Sequence, residues 1–199
     1  AHSERAAWLC KADLSTLMVI EFPSLQGIIG KYYAKNSGEP KEVAMAIEEH
    51  YQPVFADGPL PETEAGIILS IADKIDTIVG YFGIGERSTG SQDPYSLRRQ
   101  AIGIIRILLE RNLHLALPIV LDEAVRLYQV ELFNDTKDAL VDFLRTRIEV
   151  LLLTQGYPPD VLAAVIATDE VDAIDILKRA EAVVEFLDST EFQRVYPAL

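Results

Sequence analysis

The sequence predicts an all-α fold, a helical bundle over residues 1–117 followed by a second, smaller helical segment over 118–199. Three observations carry this. Apolar side chains recur at three- and four-residue spacing, most plainly Ile67, Ile71, Ile75, Ile78 and Phe82, which is the period of one helix face. Helix-breaking residues separate such runs, as in Asn36-Ser-Gly38, Ala56-Asp-Gly-Pro-Leu-Pro61 and Gln155-Gly-Tyr-Pro-Pro159. No stretch alternates apolar and polar residues in the manner of a strand.

Taken in order, Ser3 can cap a first helix that runs to about Ile20, with Ala7, Leu14, Leu17 and Met18 on its apolar side. Pro23 opens a second helix, Ser24 to Lys35. A third begins at Pro40, carries Val43, Ala44, Ile47 and Tyr51 along one side and stops before Pro53. His50 falls at its end, where an imidazole can meet the last carbonyls. Glu62 to Phe82 gives the clearest helix. Asp93-Pro94 supplies a cap and a first-turn proline for the next, which runs to about Asn112 with Arg98 and Arg99 in its early turns. From Pro118 onward the helices are expected near Ile119–Val130, Thr136–Thr154, Pro158–Thr168 and Glu170–Leu187.

Nearly half of the 199 residues are apolar, enough for a buried core. No run reaches the ~18 uncharged apolar residues of a membrane helix. Cys10 is the only cysteine, which excludes an internal disulfide or a thiolate metal cluster and favours a reducing cytoplasm. A net charge of −13 opposes indiscriminate nucleic-acid binding. Between Glu86 and Arg106, however, four arginines (Arg87, Arg98, Arg99, Arg106) face only two carboxylates, Glu86 and Asp93. A solvated helix face and a local basic patch both fit that surplus.

Residues 72–99 bring the chemistry together. Asp73 and Asp76 lie away from the isoleucine stripe, with Gly66, Gly80 and Gly83 beside them, so another backbone or a ligand can come close. The loop Gly83-Ile-Gly-Glu-Arg-Ser-Thr-Gly-Ser-Gln92 lacks a P-loop lysine and follows no predicted strand, so neither nucleotide fingerprint is supported. Asp13, Glu21, His50, Asp73 and Asp76 include residue types that hold divalent cations, but no adjacent His-Asp pair occurs among them.

The ordered series Lys11-Ala-Asp-Leu14, Glu21-Phe-Pro-Ser-Leu-Gln-Gly27, Gly30, Tyr32-Tyr-Ala34, Glu49-His-Tyr51, Ala72-Asp-Lys-Ile-Asp76, Phe82-Gly-Ile-Gly85, Thr89-Gly-Ser-Gln-Asp-Pro94 and Leu97-Arg-Arg99 resembles the β subunit of the bacterial two-subunit glycyl-tRNA synthetase. The resemblance is dense from about Ala6 to Leu109, and beyond Pro118 it rests on helical texture. It implies an HD-domain-like bundle that is a piece of a much longer subunit, ending before or at an anticodon-binding domain. In HD phosphohydrolases a His-Asp pair with further His and Asp residues holds metal. Here Ala12-Asp13 resembles the pair's position without its histidine, Asp73 resembles the later aspartate, and His50 is a candidate replacement ligand. The resemblance therefore implies a degenerate site with no working metal and no catalytic residue.

It also implies tRNA(Gly) and the synthetase α subunit as partners. ATP and magnesium would be used on the α subunit, and this chain would need no cofactor. Arg98 and Arg99 are the leading candidates for RNA phosphates, aided by Ser88, Thr89, Ser91 and the amides at the Asp93 cap. Arg87, Lys11, Lys31 and Lys74 follow them. Alternatively, Asp73 or Asp76 pairs with Arg98 or Arg99 and, with Asp93, organises the loop. A metal-dependent HD-type phosphohydrolase and a plain helical interaction scaffold are the competing functions.

Overall fold

The computed structural model describes residues 1–87, 93, 95–168, 171–190 and 192. Among them are ten α-helices, two short 3-10 turns and no strand, so the fold is all-α. None of these helices is long and apolar enough to cross a membrane. The chain divides into two compact units, Ala1–Gly80 with Ser88–Ile107, and Tyr81–Arg87 with Leu108–Leu199.

In the first unit α1 (His2–Leu9), α2 (Leu17–Glu21), α3 (Ile28–Asn36) and α4 (Lys41–Glu49) are followed by the long helices α5 (Glu64–Gly83) and α6 (Leu97–Glu110), which extend into the second. Both α1 and α3 pack on α4. Small side chains permit this closeness, for the buried cluster joins Ala6, Cys10, Ala34, Ala44, Ala46 and Ala65 to Val43, Ile47 and Leu69. Ile75, Ile78 and Val79 of α5 and Leu97, Ala101, Ile104 and Ile105 of α6 are also buried.

The first predicted helix is broken. After α1 come a 3-10 turn, Ala12–Ser15, and the short α2. Its polar side chains account for the break. The Ser15 hydroxyl donates to Ala12 O at 2.8 Å, the Thr16 hydroxyl donates to Asp13 O at 2.7 Å, and Thr16 Oγ1 accepts from Val19 N as the α2 cap. Such local bonds offer the backbone an alternative to the helix ladder. The second predicted helix is likewise split into a 3-10 turn, Pro23–Leu25, and α3. Between them Gly27 has φ +78 and lies against Tyr51, where a Cβ would sit 2.6 Å from the ring.

In the second unit α7 (Leu117–Leu127), α8 (Thr136–Thr154), α9 (Pro159–Ile166) and α10 (Ala173–Asp188) pack in sequence, each on the next. Helix α8 buries every fourth residue, Thr136, Leu140, Leu144, Ile148 and Leu152. Phe82 meets Phe143 at 4.9 Å between ring centres, and Phe133 N donates to Gly83 O.

The α4–α5 contact rests on Gly66. Buried Glu49 accepts from the Thr63 amide at 3.0 Å and its hydroxyl at 2.5 Å, and Thr63 Oγ1 in turn accepts from Gly66 N. A Cβ on Gly66 would fall 2.0 Å from Glu49 Oε2 and 2.8 Å from Glu49 Cβ. Helix propensity alone makes Gly66→Ala stabilising by about 0.5–1 kcal/mol. The overlap outweighs it, because a clash in a packed interior costs about 1–3 kcal/mol. Urea unfolding of Gly66→Ala is therefore expected to show net destabilisation, and a raised midpoint would contradict this packing.

Candidate functional site

Two lysines converge on His50. The turn after α1 presents Lys11, whose ammonium lies 3.0 Å from His50 Nε2 and 2.9 Å from Asp73 Oδ1, and 4.4 Å from the centre of the Tyr51 ring. His50 Nδ1 is 2.7 Å from Ile47 O. A carbonyl can only accept, so Nδ1 carries the proton and Nε2 accepts from Lys11. The ring is fully buried. Burial, reinforced by the Lys11 charge, lowers the His50 pKa to about 4, so the imidazole is neutral at pH 7. Burial also pushes the Tyr51 phenol up to about 12.

Lys74 approaches from α5. Its ammonium donates to His50 O at 3.1 Å, Gln52 O at 2.8 Å and Ser70 Oγ at 2.8 Å. Those three acceptors take all three protons of the group. Burial lowers its pKa to about 8, which leaves it charged at neutral pH. Lys74 was expected as a weak surface contact for RNA. It is instead interior, 4 % exposed, and its role is to tie α5 to the chain leaving α4. The sequence held a sign of this, since Lys74 stands three residues after Ile71 and four before Ile78, on the apolar stripe itself.

The three candidate metal ligands do not converge. Asp13 is buried, but its Oδ2 accepts from Gly27 N at 2.7 Å and lies under Gly30. His50 and Asp73 do come together, with an ammonium between them. A divalent cation would have to displace that fixed positive charge, so this arrangement does not fit one. Glu21 and Asp76 are exposed on the surface.

Arg98 and Arg99 occupy the first turn of α6, the former half-buried and the latter exposed. Asp93 Oδ2 accepts from Arg98 N at 3.2 Å, but α6 begins only at Leu97, so Asp93 reaches the first turn from four residues before it and is not the N-cap that was expected. Asp73 pairs with Lys11, where one of the two alternatives had Asp73 or Asp76 pairing with Arg98 or Arg99. Lys31 pairs with Glu48 and lies over the Tyr32 ring. Arg87 belongs to the second unit, where it donates to Asp135 at 2.6 Å. Ser88, Thr89 and Ser91 lie outside the described residues. A cavity of about 410 Å³ opens in the first unit, and Asp73, Lys74, Tyr51 and Arg99 all line it.

The neutral His50 makes a pH prediction. Its folded pKa lies below the ordinary 6.5, so the unfolded chain binds more protons between pH 6.5 and 4 and stability falls as pH drops through that window. From pH 7 to pH 5 this amounts to about 2 kcal/mol. Urea midpoints of the parent chain should fall more over that interval than those of His50→Gln. Equal losses would show that another group governs the acid limb.

Comparison with known proteins gives the context of this geometry. A sequence profile described as glycyl-tRNA synthetase beta subunit matches residues 1–167. The chain is 45% identical over 185 residues to the glycine–tRNA ligase beta subunit of Syntrophus aciditrophicus, with 92% of this chain and 27% of the relative covered. It is 49% identical over 183 residues to the same subunit from Leptothrix cholodnii, with 92% and 26% covered. The Escherichia coli subunit is 43% identical over 186 residues, with 93% and 27% covered. This chain thus spans about a quarter of the length of the curated relatives it matches. It belongs to the glycyl-tRNA synthetase β-subunit family.

Proposed function

We propose that this chain helps to bind and position tRNA(Gly) as one part of a two-subunit glycine–tRNA ligase, in the cytoplasm. On this reading, ATP, magnesium and glycine are handled on the α subunit, and the chain contributes neither a cofactor site nor a catalytic group. The HD-like arrangement of helices is then a scaffold turned to recognition. Family membership supports the assignment to that ligase. The observation that supports tRNA contact is the placement of exposed Arg99 in the first turn of α6, lining a cavity, with Arg98 beside it in sequence, in a chain whose overall charge repels nucleic acid. A guanidinium presented there can take a phosphate in bidentate fashion.

The competing phosphohydrolase needs a metal to activate water. The Lys11 ammonium between His50 and Asp73 weighs against it. The scaffold reading assigns the arginines no task toward RNA.

Arg98→Ala with Arg99→Ala, made in the complete β subunit assembled with its α subunit, tests the proposal. Affinity for tRNA(Gly) is expected to fall roughly 10- to 100-fold at low salt, and the salt slope to become shallower by about one to two. Unchanged affinity and slope would move RNA contact away from α6. Manganese-dependent hydrolysis of nucleotides that disappears in Asp73→Ala would favour the phosphohydrolase.

A further inference from the structure

The cavity in the first unit combines features that neither a structural pocket nor a duplex-binding surface requires. Its volume of about 410 Å³ falls in the range of about 300–1,000 Å³ that single small ligands occupy. Two prolines, Pro23 and Pro53, supply apolar surface, and Tyr51 adds to the lining while its ring also meets the His50 ring at 3.8 Å and the Lys11 ammonium at 4.4 Å. Gln26 and Gln100 supply two carboxamides, each able to donate and accept. Gln100 uses one donor on Tyr95 O at 3.3 Å, and its carbonyl oxygen adds an acceptor. Arg99 is exposed on the same wall and Lys74 is buried in it. The one carboxylate of the lining, Asp73, already faces the Lys11 ammonium at 2.9 Å.

This inventory selects a ligand class. Apolar surface suits the face of a planar ring, carboxamides suit a hydrogen-bonding ring edge, and an exposed guanidinium suits a phosphate. An RNA duplex keeps its bases stacked and presents ribose and phosphate over a broad shallow groove, so it cannot enter a concavity of this size. An unpaired nucleotide can be splayed away from its neighbours and inserted singly.

We infer that this cavity is a binding site for one unstacked nucleotide, its base between the surface of Pro23 and Pro53 and the carboxamides of Gln26 and Gln100 and its phosphate at Arg99. The tRNA reading supplies the natural source, the unpaired end of the RNA, and the inference rests on it for that source only. A free nucleoside monophosphate offers the same chemistry.

The experiment uses the complete β subunit assembled with its α subunit. Three probes are titrated: the four nucleoside 5′-monophosphates, tRNA(Gly) with its unpaired end intact, and the same tRNA trimmed back to the duplex. Two variants address the cavity from different helices. Thr77→Trp fills it from α5, and Gln100→Leu removes a carboxamide from α6 with little change in size, which guards against misfolding of the bulkier substitution. Loss of one stacked and hydrogen-bonded base corresponds to about a 10-fold weakening.

Both variants are expected to weaken intact tRNA about 10-fold and to leave trimmed tRNA unchanged. Weakening of a monophosphate without any effect on intact tRNA would support the site and assign it to free nucleotide. Equal weakening of intact and trimmed tRNA would overturn the inference, as would unchanged binding of every probe in both variants. In that last case a loss of tRNA affinity in the Arg98/Arg99 double variant would leave the tRNA proposal standing alone. If the double variant binds tRNA normally while Gln100→Leu loses a monophosphate, the tRNA proposal fails and the nucleotide site remains.

Discussion

The first unit depends on a positive charge held inside it. Lys74 brings an ammonium into the interior, where an unpaired charge would be costly, and three oxygens have to be supplied to it. Two are main-chain carbonyls of residues 50 and 52 and the third is the Ser70 hydroxyl. Meeting that demand fixes the path of the chain leaving α4 against one turn of α5. Ser70 adds a second tie by donating to Gln52 O. Helix α6 joins at the same point through Gly103, where a Cβ would come within 3.2 Å of the Lys74 stem and of Pro53. One side chain therefore sets how three segments of the chain meet.

Much of the helical layout could be read directly from residue spacing. The proline at position 40 and the isoleucine repeat of α5 each state a helix locally, and α4 and α5 form close to where those signals put them, as α8 does over Thr136–Thr154. The first twenty residues were harder. Their apolar spacing fits one continuous helix, and the break comes from the local hydroxyl bonds of Ser15 and Thr16 together with a long-range bond of Asp13. Asp13 illustrates the difficulty, because its partner is the amide of Gly27, fourteen residues away. Hydrophobic periodicity carries no information about such a contact.

Single residues of the His50 cluster could be picked out in the sequence, but not their pairing. His50 and Asp73 were singled out, whereas Tyr51 was read only as part of an apolar helix side, and the histidine does meet a carbonyl of the last turn of its helix. Which cation would answer Asp73 could not be told from separation in sequence, since Lys11 and the arginines at 98 and 99 are all distant along the chain. The fold chose Lys11. Asp93 acts on its own neighbourhood, for its carboxylate accepts from an amide in the first turn of α6, although that helix starts at Leu97 and not directly after Asp93 as its cap position implied. Glu49 was missed because a glutamate near a helix end reads as solvent-facing. The closely spaced Thr63 and Gly66 were the trace of its burial.

Lys11 carries one more consequence. A metal ion held between an imidazole and a carboxylate is a separate chemical species, and its occupancy follows from its concentration and from competitors for it. An ammonium attached to the chain obeys no such mass action. It is present once per molecule from the moment of folding, cannot be chelated or exchanged for a better Lewis acid, and brings no bound water to activate. The spacing of His50 and Asp73 is thus tied to the fold of the chain and not to the supply of an ion.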